Sequence, residues 1–165
     1  MNYEIMFESE RMYFVKLSTD LVNDYLEMVN DINVQKFISH KRKKYTLDGE
    51  IEWINDNLNN DAIIFSMIEK DTNEFIGNIE ILDIKDNVGE IGIVITPKKQ
   101  NNHYGQEAIN RLIKYSFEEL NLDSLELNVY SFNSRGIKCY ENVGFVQEGI
   151  GKTEEDIHMV LNKHM

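Results

Sequence analysis

A basic turn followed at once by an amphipathic helix is the feature of this sequence best suited to chemistry. The turn spans residues 95–105 and includes Pro97 and two lysines, and the helical pattern begins directly behind it. The first N–H groups of a helix have no partner within the helix, and the helix dipole adds partial positive charge there, so such a turn binds anions. The chain carries a formal net charge of −12 at pH 7. We therefore predict one local site that binds a phosphorylated small molecule, although the net negative charge of the protein repels anions.

Two side chains near this segment could move protons. Tyr140 carries a phenol whose ordinary pKa lies near 10, so at neutral pH it is protonated and can donate. Glu90 lies on the predicted strand that leads into the turn, and its carboxylate could accept a proton from an ammonium group, directly or through water. Each has a plainer alternative, since Tyr140 could pack into a core and Glu90 could face solvent. Glu80 on the neighbouring strand could be a second carboxylate.

The other residues of catalytic type predict neither a metal site nor a nucleophile. The histidines lack the spacing of metal ligands, and no cysteine cluster joins them; they are His40, His103, His158 and His164. Cys139 has no evident histidine partner to activate it, so we interpret it as a buried structural thiol. Because it is the single cysteine, it forms no intramolecular disulfide, which fits a reducing compartment.

Hydrophobic periodicity predicts the elements that must position these residues. Apolar residues at helical spacing predict a helix capped by Ser18 or Thr19 and reaching about Val29, and further helices at about 46–58, 103–120 and 133–142. Aromatic, β-branched or alternating runs predict strands at 12–17, 62–68, 75–82, 89–95, 125–130, 145–148 and 157–161. A turn is predicted at 83–87.

The order of these elements predicts an α+β fold. Strands up to residue 95 read as an antiparallel meander, whereas the strand–helix–strand unit of residues 89–130 should be a right-handed parallel crossover. The prediction is a mixed, mostly antiparallel central sheet flanked by helices, with one β-α-β crossover carrying the anion-binding turn. We expect residues 1–165 to form a single domain.

Residues 133–145 read NSRGIKCYENVGF, with an Asn at the start, a Tyr at 140 and a final Gly-Phe. This motif is similar to the late signature of the GNAT superfamily of acetyl-CoA-dependent N-acetyltransferases. Residues 7–17 and 75–79 also look like the start and the third strand of the branch that includes ribosomal-protein N-terminal and spermidine acetyltransferases. The resemblance covers nearly the whole chain. It implies a GNAT-like fold and an enzyme that moves an acetyl group from acetyl-CoA to a primary amine.

The resemblance also implies roles for individual residues. Tyr140 falls on the family's tyrosine, the general acid that gives a proton to the departing thiolate. Glu90 falls where some members carry a catalytic glutamate, although other members use water relays. The implied cofactor contacts are the main chain of Ile93, Val94 and Ile95, the loop residues Gln100, Asn101, Asn102, His103, Tyr104, Gly105 and Gln106, and the side chain of Asn133. Asn133 could equally be a plain helix cap, and Lys98 and Lys99 could add charge near the phosphates or be exposed turn lysines.

The phosphate loop departs from the family pattern at two glycine positions, where this chain has Asn101 and His103. The loop amides must converge on a diphosphate, an arrangement that favours positive φ in the backbone there. Asn and His are among the residues other than glycine that best tolerate such angles. We therefore expect the loop to be kept, with a narrower approach for the ligand.

The identity of the acceptor amine stays open. The two early helices, which shape the acceptor pocket in the family, carry many carboxylates that would attract a polyamine or a protein N-terminus, although a solvated helix face looks the same. Trp53 could line that pocket or lie in the core. A non-catalytic coenzyme A-binding or regulatory protein is the alternative function, since the loop glycines are altered. A nucleotide-binding module is a weaker one, since no Walker or Rossmann pattern is present.

Composition limits the partners. A sequence pI near 4.7 argues against non-specific binding of nucleic acid. We find no signal-peptide pattern and no apolar run that approaches the roughly 20 residues needed to span a bilayer. We therefore expect a cytoplasmic protein with no metal, no membrane and no nucleic-acid partner. Homodimers are common in the family, and the sequence itself gives no evidence on this.

Overall fold

Strands form in this chain where β-branched and aromatic residues cluster, and helices where apolar residues recur at helical spacing. The computed structural model describes residues 3–38 and 42–164. Within those residues the strands are β1 (Ile5–Glu8), β2 (Met12–Lys16), β3 (Ile63–Glu69), β4 (Phe75–Lys85), β5 (Val88–Ile95), β6 (Ser124–Tyr130), β7 (Val146–Ile150) and β8 (Asp156–Asn162). The α-helices are α1 (Val22–Asn30), α2 (Ile32–Ile38), α3 (Leu47–Asn59), α4 (Tyr104–Glu118) and α5 (Ser134–Asn142). Short 3-10 turns span Thr19–Leu21 and Pro97–Lys99.

The strands are hydrogen-bonded in the order β1-β2-β3-β4-β5-β6-β8-β7. β2 is antiparallel to both β1 and β3, and β8 is antiparallel to both β6 and β7. β5 and β6 are parallel, with α4 in the connection between them. The predicted α+β class, the mostly antiparallel sheet and the single parallel crossover are thus confirmed.

Two details differ from the sequence-based prediction. An additional strand, β1, precedes the predicted first strand and pairs with β2. β4 continues to Lys85, so the turn predicted at 83–87 is reduced to Asp86 and Asn87, which both have positive φ (54° and 63°). That geometry suits a two-residue hairpin, and Asp and Asn tolerate it. The sequence also has a charged run, HKRKK, at residues 40–44, of which His40 and Lys41 lie outside the described residues.

The chain divides into two compact units. The first comprises Met1–Glu80 and Ile93–Tyr104, and the second comprises Ile81–Gly92 and Gly105–Met165. β4 and β5 each contribute one part to each unit.

The first unit is built around Tyr25 of α1, whose side chain is fully buried. Its ring meets those of Phe75 and Trp53 edge to face, with centroids 5.4 Å and 6.3 Å away. Its hydroxyl is hydrogen-bonded to Ser66 of β3, which satisfies the phenol in the core. α3 begins at the predicted cap, where the Thr46 side chain accepts the N–H of Gly49 at 3.1 Å.

The second unit buries one face of β6. Leu125, Leu127 and Val129 are buried and the residues between them are partly exposed, as the alternation predicts. α5 begins at Asn133 and is followed by Gly144, whose φ of +110° suits glycine and ends the helix as predicted. In the parts of the chain that the structure describes, no helix combines the length and apolar character needed to cross a membrane.

Candidate functional site

The candidate phosphate loop has the backbone that its residue types predict. Asn101 and His103 have φ values of +65° and +63°. These values lie in the left-handed region, where Asn and His are enriched among residues other than glycine. The two departures from the family's glycines therefore keep the loop conformation, as expected.

Side-chain amides close the loop from within. The Gln100 Nε2 donates to the carbonyl oxygen of Ile95 at 2.9 Å, and the Asn102 Nδ2 donates to the carbonyl oxygen of Gln100 at 3.0 Å. The Lys99 N–H donates to the Thr96 carbonyl at 2.9 Å and closes the preceding 3-10 turn. The loop is thus held by its own polar groups, which leaves its backbone shape independent of a ligand.

The N–H groups at the start of α4 are available to an anion. Within residues 3–38 and 42–164, the backbone N–H groups of Asn102, His103 and Gly105 donate to no protein acceptor. For Gly105 helix geometry requires this, because its acceptor would lie before the first residue of α4, whereas Asn102 and His103 precede the helix. Backbone N–H groups without a protein acceptor, at the positive end of a helix dipole, are the kind of donor that binds phosphate.

Tyr104 contributes its main chain rather than its ring to this region. Its ring is buried and lies under the guanidinium of Arg11, 4.1 Å from the ring centroid. Burial and the neighbouring Glu69 raise the pKa of its phenol. The ring of Tyr104 therefore has a structural role. Only its backbone N–H and C=O groups remain as candidates for cofactor binding.

Lys99 is engaged by carboxylates and does not serve as a spare cation for phosphate. Its Nζ lies 2.8 Å from a carboxylate oxygen of Glu69 and 2.8 Å from one of Glu74. These bonds raise the pKa of Lys99 and lower that of both carboxyl groups. Lys98 is exposed. The idea that Lys99 adds positive charge near the phosphates is therefore replaced by a structural role, in which it fixes the base of the loop.

The end of β5 is firmly attached to β4. The Thr96 N–H donates to the Ile76 carbonyl at 2.9 Å, and a Cβ on Gly77 would lie 2.1 Å from the carbonyl oxygen of Val94. Only glycine permits that approach. Within the second unit, β5 pairs with β6 at Val88–Glu90 against Ser124–Glu126.

In the second unit, α4 lies close to α5 at its first turn. A Cβ on Gly105 would lie 3.5 Å from the Cys139 Sγ, which is ordinary contact. Burial raises the pKa of the Cys139 thiol, so little thiolate is present at neutral pH. This agrees with the interpretation of Cys139 as a structural thiol. Gln106 is partly exposed in the same turn.

Tyr140 follows on α5 and is kept in its protonated form. Its ring packs edge to face on Phe145, with centroids 6.1 Å apart. Burial raises the pKa of its phenol above the ordinary value of 10.0. The side chain is therefore a packing aromatic whose phenol is protonated across the neutral range.

Glu90 is not a solvated strand residue. Its carboxylate lies 3.0 Å from the Nζ of Lys152 and 3.5 Å from the Nδ2 of Asn128, and its side chain is 16% exposed. Sequence reasoning missed both partners. The alternation of β6 could have placed Asn128 on the polar face with Glu126, but Lys152 lies in a loop 62 residues away and leaves no sequence signal.

Asn133 acts as the predicted helix cap. Its Oδ1 accepts the N–H of Gly136 at 3.0 Å, and a Cβ on Gly136 would lie 2.6 Å from the Asn133 Nδ2. His158 pairs with Glu126 at 3.1 Å. Among the described residues no group of three or more His, Cys, Asp or Glu side chains is arranged to hold a metal ion.

The candidate residues divide between the two units. The main chain of Ile93–Ile95 and the loop up to Tyr104 belong to the first, and Glu90, Gly105, Gln106, Asn133 and Tyr140 belong to the second.

Comparison with known proteins gives a family and a set of relatives. A family model described as an acetyltransferase (GNAT) domain matches residues 11–146. The spermidine N(1)-acetyltransferase of Vibrio cholerae is 32% identical over 100 residues, which cover 59% of this chain and 58% of that protein. The match therefore spans little more than half the length of that relative. The uncharacterized N-acetyltransferase YnaD of Bacillus subtilis is 28% identical over 127 residues, 76% of this chain and 74% of that protein.

Solved structures share the fold. A GNAT-family acetyltransferase from Bacillus anthracis superposes with a TM-score of 0.85 at 23% identity, covering 96% of this chain and 98% of that one. The spermidine N-acetyltransferase of Vibrio cholerae in complex with CoA and spermine gives a TM-score of 0.81 at 23% identity, covering 93% and 96%.

Proposed function

The chain belongs to the GNAT acetyltransferase family, and from that premise we propose that it transfers an acetyl group from acetyl-CoA to a primary amine. The observation that carries the proposal is the loop before α4, whose Asn102, His103 and Gly105 amides have no protein acceptor within the described residues. The family uses this loop for the diphosphate of coenzyme A. The structure of the Vibrio cholerae relative with CoA supports the same cofactor here.

The cosubstrate would be held mainly by the main chain. The backbone N–H groups of Asn102 and His103 would donate to its diphosphate, whereas the Gln100 N–H already donates to the Pro97 carbonyl. Donation by backbone groups needs no lysine. The main chain of Ile93–Ile95, which the family resemblance assigns to the cofactor, would pair with the pantetheine arm. The amide of Asn133 would contact the same arm while its Oδ1 caps α5.

The chemistry requires a neutral amine, a stabilised oxyanion and a protonated leaving group. The amine nitrogen attacks the thioester carbonyl carbon, the C–S bond breaks, and the thiolate takes the proton of Tyr140. Tyr140 can take this role because its phenol, whose pKa is raised by burial, carries its proton at neutral pH. Glu90, alone or through water, accepts the proton that the amine loses. A backbone N–H of Ile93–Ile95 would stabilise the oxyanion.

The acceptor is a primary amine whose class the chain restricts only loosely. A polyamine is supported by the spermidine acetyltransferase relative and by carboxylates of α1 and α3, such as Asp24, Glu27, Asp48 and Glu52. A protein N-terminus or another small amine meets the same requirement for a cationic group. Trp53 on α3 is 36% exposed, which corrects its interpretation as a core residue and allows its ring to contact a ligand.

Release of the CoA thiol from acetyl-CoA tests the proposal, with spermidine, a lysine derivative and a peptide with a free N-terminus as acceptors. We expect release that depends on one of these amines. Acetyl-CoA at a hundredfold its Kd should also raise the stability of the protein by about 2.7 kcal/mol. A stability gain without amine-dependent release from a broader amine panel would instead favour the second candidate, a non-catalytic coenzyme A binder, which the replacement of loop glycines by Asn101 and His103 supports.

A further inference from the structure

A short basic segment of the first unit has no place in the acetyl-transfer proposal. Arg42, Lys43 and Lys44 follow α2, and together with Asn30 and Gln35 they line a cavity of about 380 Å³. This volume lies within the range of small-molecule sites, about 300–1,000 Å³. No carboxylate is among these lining residues.

Two side-chain amides hold the basic segment in place. Asn30 donates to the carbonyl oxygen of Tyr45 at 3.0 Å and accepts the Tyr45 N–H at 2.8 Å. Gln35, which is 4% exposed, accepts the N–H of Lys43 at 3.1 Å and donates to the carbonyl oxygens of Lys43 and Val29. Each side-chain amide thus both donates to and accepts from the loop backbone, as the backbone of a neighbouring β-strand would. The backbone on either side of Lys44, at Lys43 and Tyr45, is thus held before any ligand arrives.

The charges of this segment differ from those of four other lysines, which are neutralised by carboxylates. Lys16, Lys70, Lys99 and Lys152 each form an ion pair with a carboxylate. In the part of the chain that the structure describes, Arg42, Lys43 and Lys44 form no ion pair within 4 Å.

Lys43 does have weaker neighbours. Its ammonium lies 4.9 Å from the ring centroid of Tyr45 and interacts at longer range with Glu50. The cavity therefore carries net positive charge in a protein of net charge −12.

We propose that this cavity is a second binding site, separate from the loop before α4, and that it binds a small phosphorylated molecule. Arg42 supplies a planar donor fork and Lys43 and Lys44 supply compact ammonium groups, a combination that suits phosphate oxygens. A cluster of cations in an acidic protein also attracts a small anion that the rest of the surface repels. Because Asn30 and Gln35 already hold the loop backbone, little conformational entropy of the loop is lost when a ligand binds.

The test is titration of inorganic pyrophosphate by calorimetry, at constant ionic strength and with coenzyme A at saturation to occupy the loop before α4. The variant Lys43→Gln/Lys44→Gln removes two charges from the cavity. The matched control Lys85→Gln/Lys114→Gln removes two exposed charges from the second unit. We expect the cavity variant to lose about tenfold or more in pyrophosphate affinity and the control to keep the wild-type value.

A second variant, Arg42→Gln/Lys44→Gln, leaves Lys43 on the Tyr45 ring and should show the same loss. Equal affinity in wild type and in both cavity variants would overturn the proposal. So would binding of a 20-nucleotide RNA by a wild-type protein that does not bind pyrophosphate. If coenzyme A itself fails to bind, the comparison is made without it, so failure of the acetyl-transfer proposal does not decide this one.

Discussion

At the scale of single residues, the candidate phosphate loop shows how a family feature persists when its glycines are replaced. Asn101 and His103 keep positive φ, at a small conformational cost that Asn and His bear best. What glycine also provides, close approach of a ligand to the backbone, is reduced by their side chains. Stability and affinity should therefore respond differently to substitution at residue 103.

We expect His103→Gly to leave the free energy of unfolding within about 1 kcal/mol of wild type and to tighten coenzyme A binding, because it removes the side chain and keeps the backbone angle. His103→Val should lower that free energy by about 1–2 kcal/mol, because a β-branched residue disfavours positive φ. Lys98→Val is a control at an exposed position without positive φ. Denaturant unfolding and calorimetric titration measure the two effects. Weaker binding by His103→Gly would show that the imidazole itself contacts the ligand.

Tyr140→Phe tests the general acid. Turnover should fall by about 10²-fold or more, since proton transfer contributes this much, while the Kd for acetyl-CoA stays within about threefold. Because burial raises the pKa of the phenol above 10.0, Tyr140 stays protonated to at least that pH and wild-type activity should show no alkaline loss from this group below it. A pH–rate profile of both proteins provides the measurement. Equal turnover in the variant would remove Tyr140 from the mechanism.

At the scale of elements, sequence pattern predicts what local interactions determine. α3 and α5 begin where Thr46 and Asn133 accept N–H groups three residues ahead, and β6 keeps its alternation. β1 was missed because it has no buried residue and is defined by pairing with β2. The loop φ values followed from residue types, whereas the carboxylates that engage Lys99 lie 30 and 25 residues away in the chain and no local pattern reports them.

Lys99→Gln tests the attachment of the loop to β3 and β4. The carboxyl groups of Glu69 and Glu74 have pKa values lowered below 4.5 in the folded protein, so their stabilising effect is complete above 4.5 and disappears as pH falls through the folded values. The same ion pairs raise the pKa of Lys99 above 10.5, so its contribution to stability is lost only at a pH above that value. We therefore expect the variant to melt about 2–4 °C lower at pH 7, with the difference from wild type shrinking below pH 4.5. Lys98→Gln, the same change one residue earlier, is the control, and a constant difference down to pH 2 would contradict the ion-pair explanation.

At the scale of the whole molecule, the net charge of −12 opposes every phosphorylated ligand, so each anion site must rely on its local groups. The two proposed sites do this differently. The loop before α4 uses backbone N–H groups, since Lys99 is already engaged by Glu69 and Glu74. The cavity beside α2 uses the side-chain charges of Arg42, Lys43 and Lys44.

Salt should separate these two kinds of site. Raising ionic strength from about 10 mM to about 100 mM shortens the Debye length from about 30 Å to about 10 Å, which screens the repulsion between the acidic protein and its ligand. Acetyl-CoA bound through main-chain groups should then bind as tightly or severalfold more tightly, because short hydrogen bonds are screened least. Pyrophosphate bound by Arg42, Lys43 and Lys44 should bind more weakly, because the attraction of exposed cations is itself screened. Calorimetric titrations of each ligand in both buffers provide the comparison. If the affinity for both ligands falls in parallel with salt, lysine or arginine side chains, and not the loop amides, hold the diphosphate of coenzyme A.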